Sequence, residues 1–233
     1  MKKLIIASTS TVHGSTYLEY ILNELSSFFS TADEIIFIPY ARPGGITHDE
    51  YTDIAKKGFE KINKKIVGIH TQKDPDEALK AAKGIFVGGG NTFLLVHDLY
   101  KYNIMQTLRE TVYKGTPYFG TSAGANITGV TMQTTNDMPI IYPAGFKTLG
   151  AVPFNINPHY QDPDPNSKHM GETRETRIKE FHKFNSIPVI GLREGSWIRV
   201  NDNNMVLKGK YSARVFEQNK EAYEIETGSL ISF

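Results

Sequence analysis

Residues 84–126, GIFVGGGNTFLLVHDLYKYNIMQTLRETVYKGTPYFGTSAGAN, decide the fold. A short apolar run, Gly84–Val87, meets three glycines. A long helical pattern follows, from Asn91 to about Lys114. A second apolar run, Pro117–Gly120, then enters a Gly-rich turn that opens another helix. Strand, turn, helix and strand in that order make a βαβ unit, with two parallel strands whose following loops share one edge of the sheet. Both runs are continuously apolar, as strands covered on both faces are.

The same alternation extends outward. Leu4–Ala7, Glu34–Pro39 and Ile66–Ile69 read as strands. Tyr17–Phe29 reads as a helix, with Leu18, Ile21, Leu22 and Leu25 on one face, and so does the stretch from Asp49 to Ile62. Asp74–Lys83 is a third helix, with Asp74 as its N-cap and Pro75 in its first turn. Beyond residue 126 the pattern loosens. Gly171–Phe184 is helical, Pro188–Leu192 is a buried strand, and hairpins follow from Trp197, the first turning through Asn201-Asp202-Asn203-Asn204. The expected fold class is therefore α/β, a mostly parallel sheet with helices on both faces, right-handed crossovers and C-terminal hairpins. No Pro-, Gly- or Ser-rich linker divides the 233 residues, so one domain, 1–233, is expected.

Bulk composition narrows the function. The 26 basic and 25 acidic side chains are interspersed and sum to +1, which leaves no footprint for nucleic acid or an anionic membrane. There is no cysteine, which excludes disulfides, thiolate zinc sites and a cysteine nucleophile. A cytoplasmic setting is expected. Met1-Lys2-Lys3 with its short apolar run reads as the first strand rather than a signal segment, because Ser8-Thr9-Ser10-Thr11 interrupts it at once. No window approaches the roughly 20 apolar residues of a membrane span.

Three places carry chemistry. Gly120-Thr121-Ser122-Ala123-Gly124 fits G-x-S-x-G between a strand and a helix. Such a turn lifts a serine oxygen above the sheet and leaves the next N–H free for an oxyanion. A helix N-cap serine would fit the same string. Gly88-Gly89-Gly90, at the same sheet edge, could supply the second oxyanion N–H or cradle a phosphate, but the Walker and dinucleotide patterns are both missing. A serine nucleophile also needs a base and an orienting acid. Of seven histidines (His13, His48, His70, His97, His159, His169 and His182), His159 in the irregular stretch Asn157-Pro158-His159-Tyr160 is the best candidate. His97 and His182 fall within helices, and His70 ends a strand at the ligand edge. Glu194, just past Pro188–Leu192, and Asp137 compete for the acid. No H-E-x-x-H or His pair with ligand spacing suggests a metal, and His48-Asp49-Glu50 reads as an acidic helix start.

Seven ordered blocks resemble the peptidase E (aspartyl dipeptidase) family: FIPYA near residue 40, VGGGNTF at 87–93, SAGAN at 122–126, TTNDMPI at 134–140, INPHY at 156–160, GETRETRI at 171–178 and IGLREGSWI at 190–198. The resemblance implies an α/β sandwich related to the class I glutamine amidotransferases and a Ser-His-Glu triad. It implies Ser122 as nucleophile, His159 as base, Glu194 as orienting acid, and Gly90 and Ala123 as oxyanion donors. Arg174 is similar to the family arginine that binds the substrate's aspartyl carboxylate. Asp137 lies in a shared block and is placed with the substrate-binding residues. Thr121, Tyr160 and Arg193 stand where the family often has Trp, Phe and Pro. They would tune the pocket, and Tyr160 is placed at the substrate. The implied activity is hydrolysis of dipeptides beginning with aspartate, without cofactor or metal. A cyanophycinase-like peptidase and an inactive binding protein on the same fold are the rivals. A glutaminase would need a cysteine.

Overall fold

The structure, a computed structural model, describes residues 1–164, 166, 168 and 170–233. In chain order its elements are β1 (Lys3–Ala7), α1 (Leu22–Phe28), β2 (Glu34–Ile38), α2 (His48–Glu60), β3 (Lys65–Gly68), α3 (Pro75–Ala81), β4 (Ile85–Val87), α4 (Thr92–Lys101), α5 (Met105–Lys114), β5 (Tyr118–Thr121), α6 (Ala123–Asn126), β6 (Asn155–Pro158), α7 (Arg174–Phe181), β7 (Val189–Leu192), β8 (Ser196–Asn201), β9 (Asn204–Gly209), β10 (Ala213–Phe216) and β11 (Tyr223–Ile225).

A seven-stranded sheet runs in the order β3-β2-β4-β5-β1-β8-β9. Its first five strands are parallel, and the β8–β9 hairpin joins antiparallel to β1. Successive residues of each parallel strand enter different cores. Leu4, Ile6, Ile36, Ile38, Ile85 and Val87 pack on one face with Leu79 of α3, Leu95 of α4 and Leu108 of α5. Ile5, Ile35, Phe37, Phe86 and Phe119 pack on the other with Leu25 of α1 and Phe59 of α2. This two-sided cover is why the strands lack polar alternation. The helix starts follow their sequence signals. Thr47 and Glu50 form a capping box on α2, and Asp74 accepts from the N–H groups of Asp76 and Glu77 ahead of α3.

Four expectations are corrected. The helix expected from Tyr17 starts at Leu22, because Leu18 adopts φ 59° and a 3-10 turn, Glu19–Ile21, intervenes. The helix expected over 91–114 is two helices, broken where Asn103 takes φ 56°, which a right-handed helix cannot hold. Asn157 and Pro158, read as the start of an irregular stretch, belong to strand β6, Asn155–Pro158, which pairs parallel to β7. Finally, β7 does not extend the main sheet. It belongs to a second sheet, β11-β10-β7-β6, that packs onto the same core through Ile156, Ile190, Leu192 and Val215. Among the described residues no helix is long and apolar enough to cross a membrane.

Candidate active site

Ser122 sits at the sharp turn between β5 and α6, with φ 53° and ψ −110°. A non-glycine residue held there costs of order 1–3 kcal/mol, which the surroundings must supply. They do so by packing and hydrogen bonds. A Cβ on Gly120 would drive into the Gly124 carbonyl, and one on Gly124 into the Val87 carbonyl, so only glycine lets α6 lie this close to β4 and β5. The Ser122 N–H donates to the Ala7 carbonyl (3.1 Å), and the Tyr118 hydroxyl donates to the Gly124 carbonyl (2.7 Å). β4 neighbours β5 in the sheet, so the Gly88–Gly90 loop lies beside this turn. A Cβ on Gly89 would stand 2.9 Å from the Ser122 Cβ. Neither the Gly90 nor the Ala123 N–H has a hydrogen-bond partner among the described residues. Two free donors beside a serine oxygen are what an oxyanion hole requires.

His159 follows β6 directly, and Glu194 lies two residues past β7. Because β6 and β7 pair in register, with Pro158 opposite Leu192, both loops leave the second sheet at one end. The His159 Nε2 lies 2.8 Å from the Ser122 Oγ, and its Nδ1 lies 2.6 Å from the Glu194 Oε1. A carboxylate can only accept, so Nδ1 carries the proton and Nε2 accepts from the serine hydroxyl. His159 itself takes φ 53°. Ser8, at the end of β1, fastens that backbone: its Oγ accepts from the His159 N–H (2.8 Å) and donates to the Leu192 carbonyl (2.7 Å). Ser8 was missed in the sequence. Its position at the carboxyl end of a central strand was the available signal. Asn136 acts alongside it, its side-chain amide donating to the Pro158 carbonyl (2.6 Å).

Asp137 is not at the histidine. Its Oδ2 accepts from the Thr92 N–H (2.7 Å), the Thr92 hydroxyl (2.7 Å) and the Thr135 hydroxyl (2.9 Å), at the N-terminus of α4. Its Oδ1 has no partner among the described residues. Arg174 opens α7 next to its N-cap Thr173 and is partly buried. No described carboxylate pairs with it. Glu175 is engaged by Lys179 (2.7 Å) and Arg214 (3.7 Å) instead. Burial and then the nearby Arg177 charge push the Arg174 guanidinium down from its ordinary value, while Asp137 pulls it back up. Tyr160 does not line the cleft. It is 3% exposed, packed over Gly191 and against Phe216, so its ring serves the small core between β7, β10 and α7. His70 donates from Nε2 to the Asp49 carboxylate (2.9 Å) beyond β3, an edge strand, and His182 donates from Nε2 to the Ile187 carbonyl (3.0 Å). His169 lies outside the described residues. Among the described residues no group of three or more His, Asp or Glu converges for a metal.

Arg193, beside Glu194, has no spare charge. It makes a bidentate pair with Asp162 (2.7 and 2.9 Å) and another with Glu224 (2.9 and 3.0 Å), and donates to the Ser212 carbonyl (2.8 Å). It thereby ties the segment after His159 to the segment carrying Glu194 and to the β10–β11 hairpin. Hydrogen bonds from Arg193 hold both Asp162 and Glu224 below the usual carboxylate range. Arg193→Met should cost roughly 2 kcal/mol in urea unfolding at pH 7, below the full price of a broken buried pair because both acids are partly exposed. Carboxylates with depressed folded-state pKa values contribute stability above their unfolded pKa and lose it as pH falls through the folded one. The gap between wild type and variant should therefore shrink below about pH 4. Equal unfolding midpoints at pH 7 would show the network to be ornamental.

Residues 4–208 match the sequence model of peptidase family S51. The chain is 44% identical over 229 residues to a Streptomyces coelicolor protein named peptidase E, an alignment spanning 98% of this chain and 93% of that one. It is 41% identical over 227 residues to a Drosophila melanogaster protein named "Probable alpha-aspartyl dipeptidase", spanning 96% of this chain and 93% of the other. A solved structure of a peptidase from an acI-B1 Actinobacterium shares the fold, with a TM-score of 0.75 at 15% identity over 100% of this chain and 97% of that chain. With relatives this similar over nearly their whole length, and a serine turn, histidine and glutamate within hydrogen-bond reach of one another, the chain belongs to peptidase family S51.

Proposed function

We propose that this chain is a serine-type dipeptidase that hydrolyses dipeptides beginning with aspartate, through an acyl-enzyme on Ser122. The observation that carries the reading is the unbroken sequence of hydrogen bonds from Glu194 to His159 to Ser122, 2.6 and 2.8 Å long. Ser122 Oγ attacks the carbonyl after the aspartate while His159 Nε2 takes its proton. The carbonyl oxygen becomes an oxyanion held by the N–H groups of Gly90 and Ala123. Collapse of the tetrahedral species breaks the C–N bond, and His159 returns the proton to the leaving amine. Water, activated by the same imidazole, then releases aspartate from Ser122. Glu194 holds the tautomer and stabilises the imidazolium. Arg174 receives the substrate's side-chain carboxylate, and the free Oδ1 of Asp137 receives its N-terminal ammonium. The 233 residues work as one catalytic domain, since Ser122 comes from the main sheet and His159 and Glu194 from the second. A cytoplasmic setting suits a cysteine-free chain acting on small peptides.

Turnover of Asp-Leu, Asn-Leu, Glu-Leu and acetyl-Asp-Leu tests the whole reading. Asp-Leu is expected to be cleaved. Acetyl-Asp-Leu, which lacks the ammonium, and Glu-Leu, whose extra methylene displaces the scissile carbonyl, are expected to be poor. Equal rates on all four would sink the aspartate reading.

A further inference from the structure

Tyr51 lies on α2 and takes no part in the hydrogen bonds among Ser122, His159 and Glu194, yet it touches the loop that carries one oxyanion donor. Its ring is 1% exposed, edge-on to Phe37 (5.0 Å between centroids) and beneath the Arg42 guanidinium (4.8 Å). Its hydroxyl donates to the Gly89 carbonyl at 3.1 Å, a bond buried in the protein. Gly88 makes room for it, since a Cβ there would stand 2.5 Å from the Tyr51 hydroxyl. On its other side Gly89 abuts Ser122. The Gly89 residue is thus held between a phenol and the serine.

The Gly89–Gly90 peptide is trans, so its carbonyl and the Gly90 N–H point in opposite directions. Flipping that peptide requires changes only in ψ of Gly89 and φ of Gly90. Two glycines present little steric resistance to such a flip. A flipped peptide would aim a carbonyl oxygen where the oxyanion forms, replacing attraction with repulsion. Among the described residues the only partner of the Gly89 carbonyl is Tyr51. We propose that Tyr51 is a positioning residue: its hydroxyl locks the Gly89–Gly90 peptide so that the Gly90 N–H faces the oxyanion above Ser122. Burial pushes the phenol up from its ordinary value, so it remains a neutral donor across the working pH range. The inference rests on the reading of Ser122 as nucleophile and Gly90 as donor.

Tyr51→Phe keeps the ring and removes the lock. The expected result is a fall of about 10-fold in kcat on Asp-Leu, short of the loss for deleting a donor outright because the amide remains and can still sample the right orientation. KM should stay within about twofold, and the rate at which a small fluorophosphonate labels Ser122 should fall by the same factor as kcat. A purely structural role would instead lower the melting temperature and leave the labelling rate per folded molecule unchanged. Unchanged kcat and labelling rate would overturn the proposal. If Tyr51→Phe does not fold, the crystal structure of the wild-type phosphonate adduct decides. The Gly90 N is expected within about 3.1 Å of the phosphoryl oxygen, with the Gly89 carbonyl still on Tyr51; a Gly90 N–H turned away from that oxygen overturns the lock. The reagent needs a nucleophilic serine but no aspartyl side chain. Labelling without Asp-Leu turnover would therefore refute only the substrate reading, whereas a wild type that is never labelled removes the nucleophile and the lock together.

Discussion

Replacing Ser122 by alanine should lower turnover of Asp-Leu by roughly 10⁴-fold or more, because the acyl-enzyme route disappears and only binding and the oxyanion donors remain. The fold should survive. Ser122 is held in place by backbone bonds, its N–H to Ala7 and its carbonyl to the Asn126 N–H (2.8 Å), and its side chain caps nothing in α6. Alanine must still adopt φ 53°, so the variant keeps the same backbone strain rather than gaining more. Circular dichroism and the melting temperature should match wild type within a few degrees while turnover is lost. Near-normal hydrolysis by Ser122→Ala would end the serine mechanism. A residual rate that vanished with chelator would point to a contaminating metallopeptidase.

The central sheet was legible because its strands are short apolar runs between turn residues, and burial on both faces leaves that mark in the residues themselves. The serine turn was legible for a similar reason. Gly120 and Gly124 answer a local need for close approach, so the requirement is written at fixed spacing around Ser122. Glu194 could be placed at a ligand edge because it follows an obvious buried strand. The sequence could not show that this edge belongs to a second sheet, since the pairing of β7 with β6 and β10 joins segments with no shared local pattern. The contacts that hold the site were less visible still. Ser8 reaches His159 across 151 positions, and Arg193 reaches Asp162 and Glu224 across 31 each. None of these spacings has a periodic meaning. The break at Asn103 was lost because one left-handed residue leaves the apolar pattern on either side intact. Tyr160 reads as a polar residue beside the candidate base His159, yet it is the ring that fills the space over Gly191. A tyrosine can serve either role, and only packing chooses between them.

Arg174→Ala should lose Asp-Leu activity by at least roughly 10²-fold, the scale of one lost charge-assisted contact. An ordinary helix arginine would pair along its own surface, where such pairs contribute little. Arg174 does not: Glu175, its immediate neighbour, is taken by Lys179 and Arg214, and no described carboxylate stands in for it. The surroundings make its charge harder to hold, through burial first and the Arg177 charge second, and Asp137 only partly offsets this. On the proposed reading an incoming anion completes that guanidinium, whose planar donors match a carboxylate two bonds at a time. Asn-Leu, which offers an amide instead, leaves the charge unanswered, so wild type should reject it strongly. The double comparison isolates the contact: wild type should separate Asp-Leu from Asn-Leu widely, and Arg174→Ala should bring the two rates together by losing Asp-Leu alone. Arg174→Lys should recover only part of the loss, since an ammonium replaces the charge but not the paired geometry. If Arg174→Ala cleaves Asp-Leu normally, the specificity must come from another cation. Arg193 is already committed to Asp162 and Glu224, which leaves exposed Arg177 as the next residue to replace.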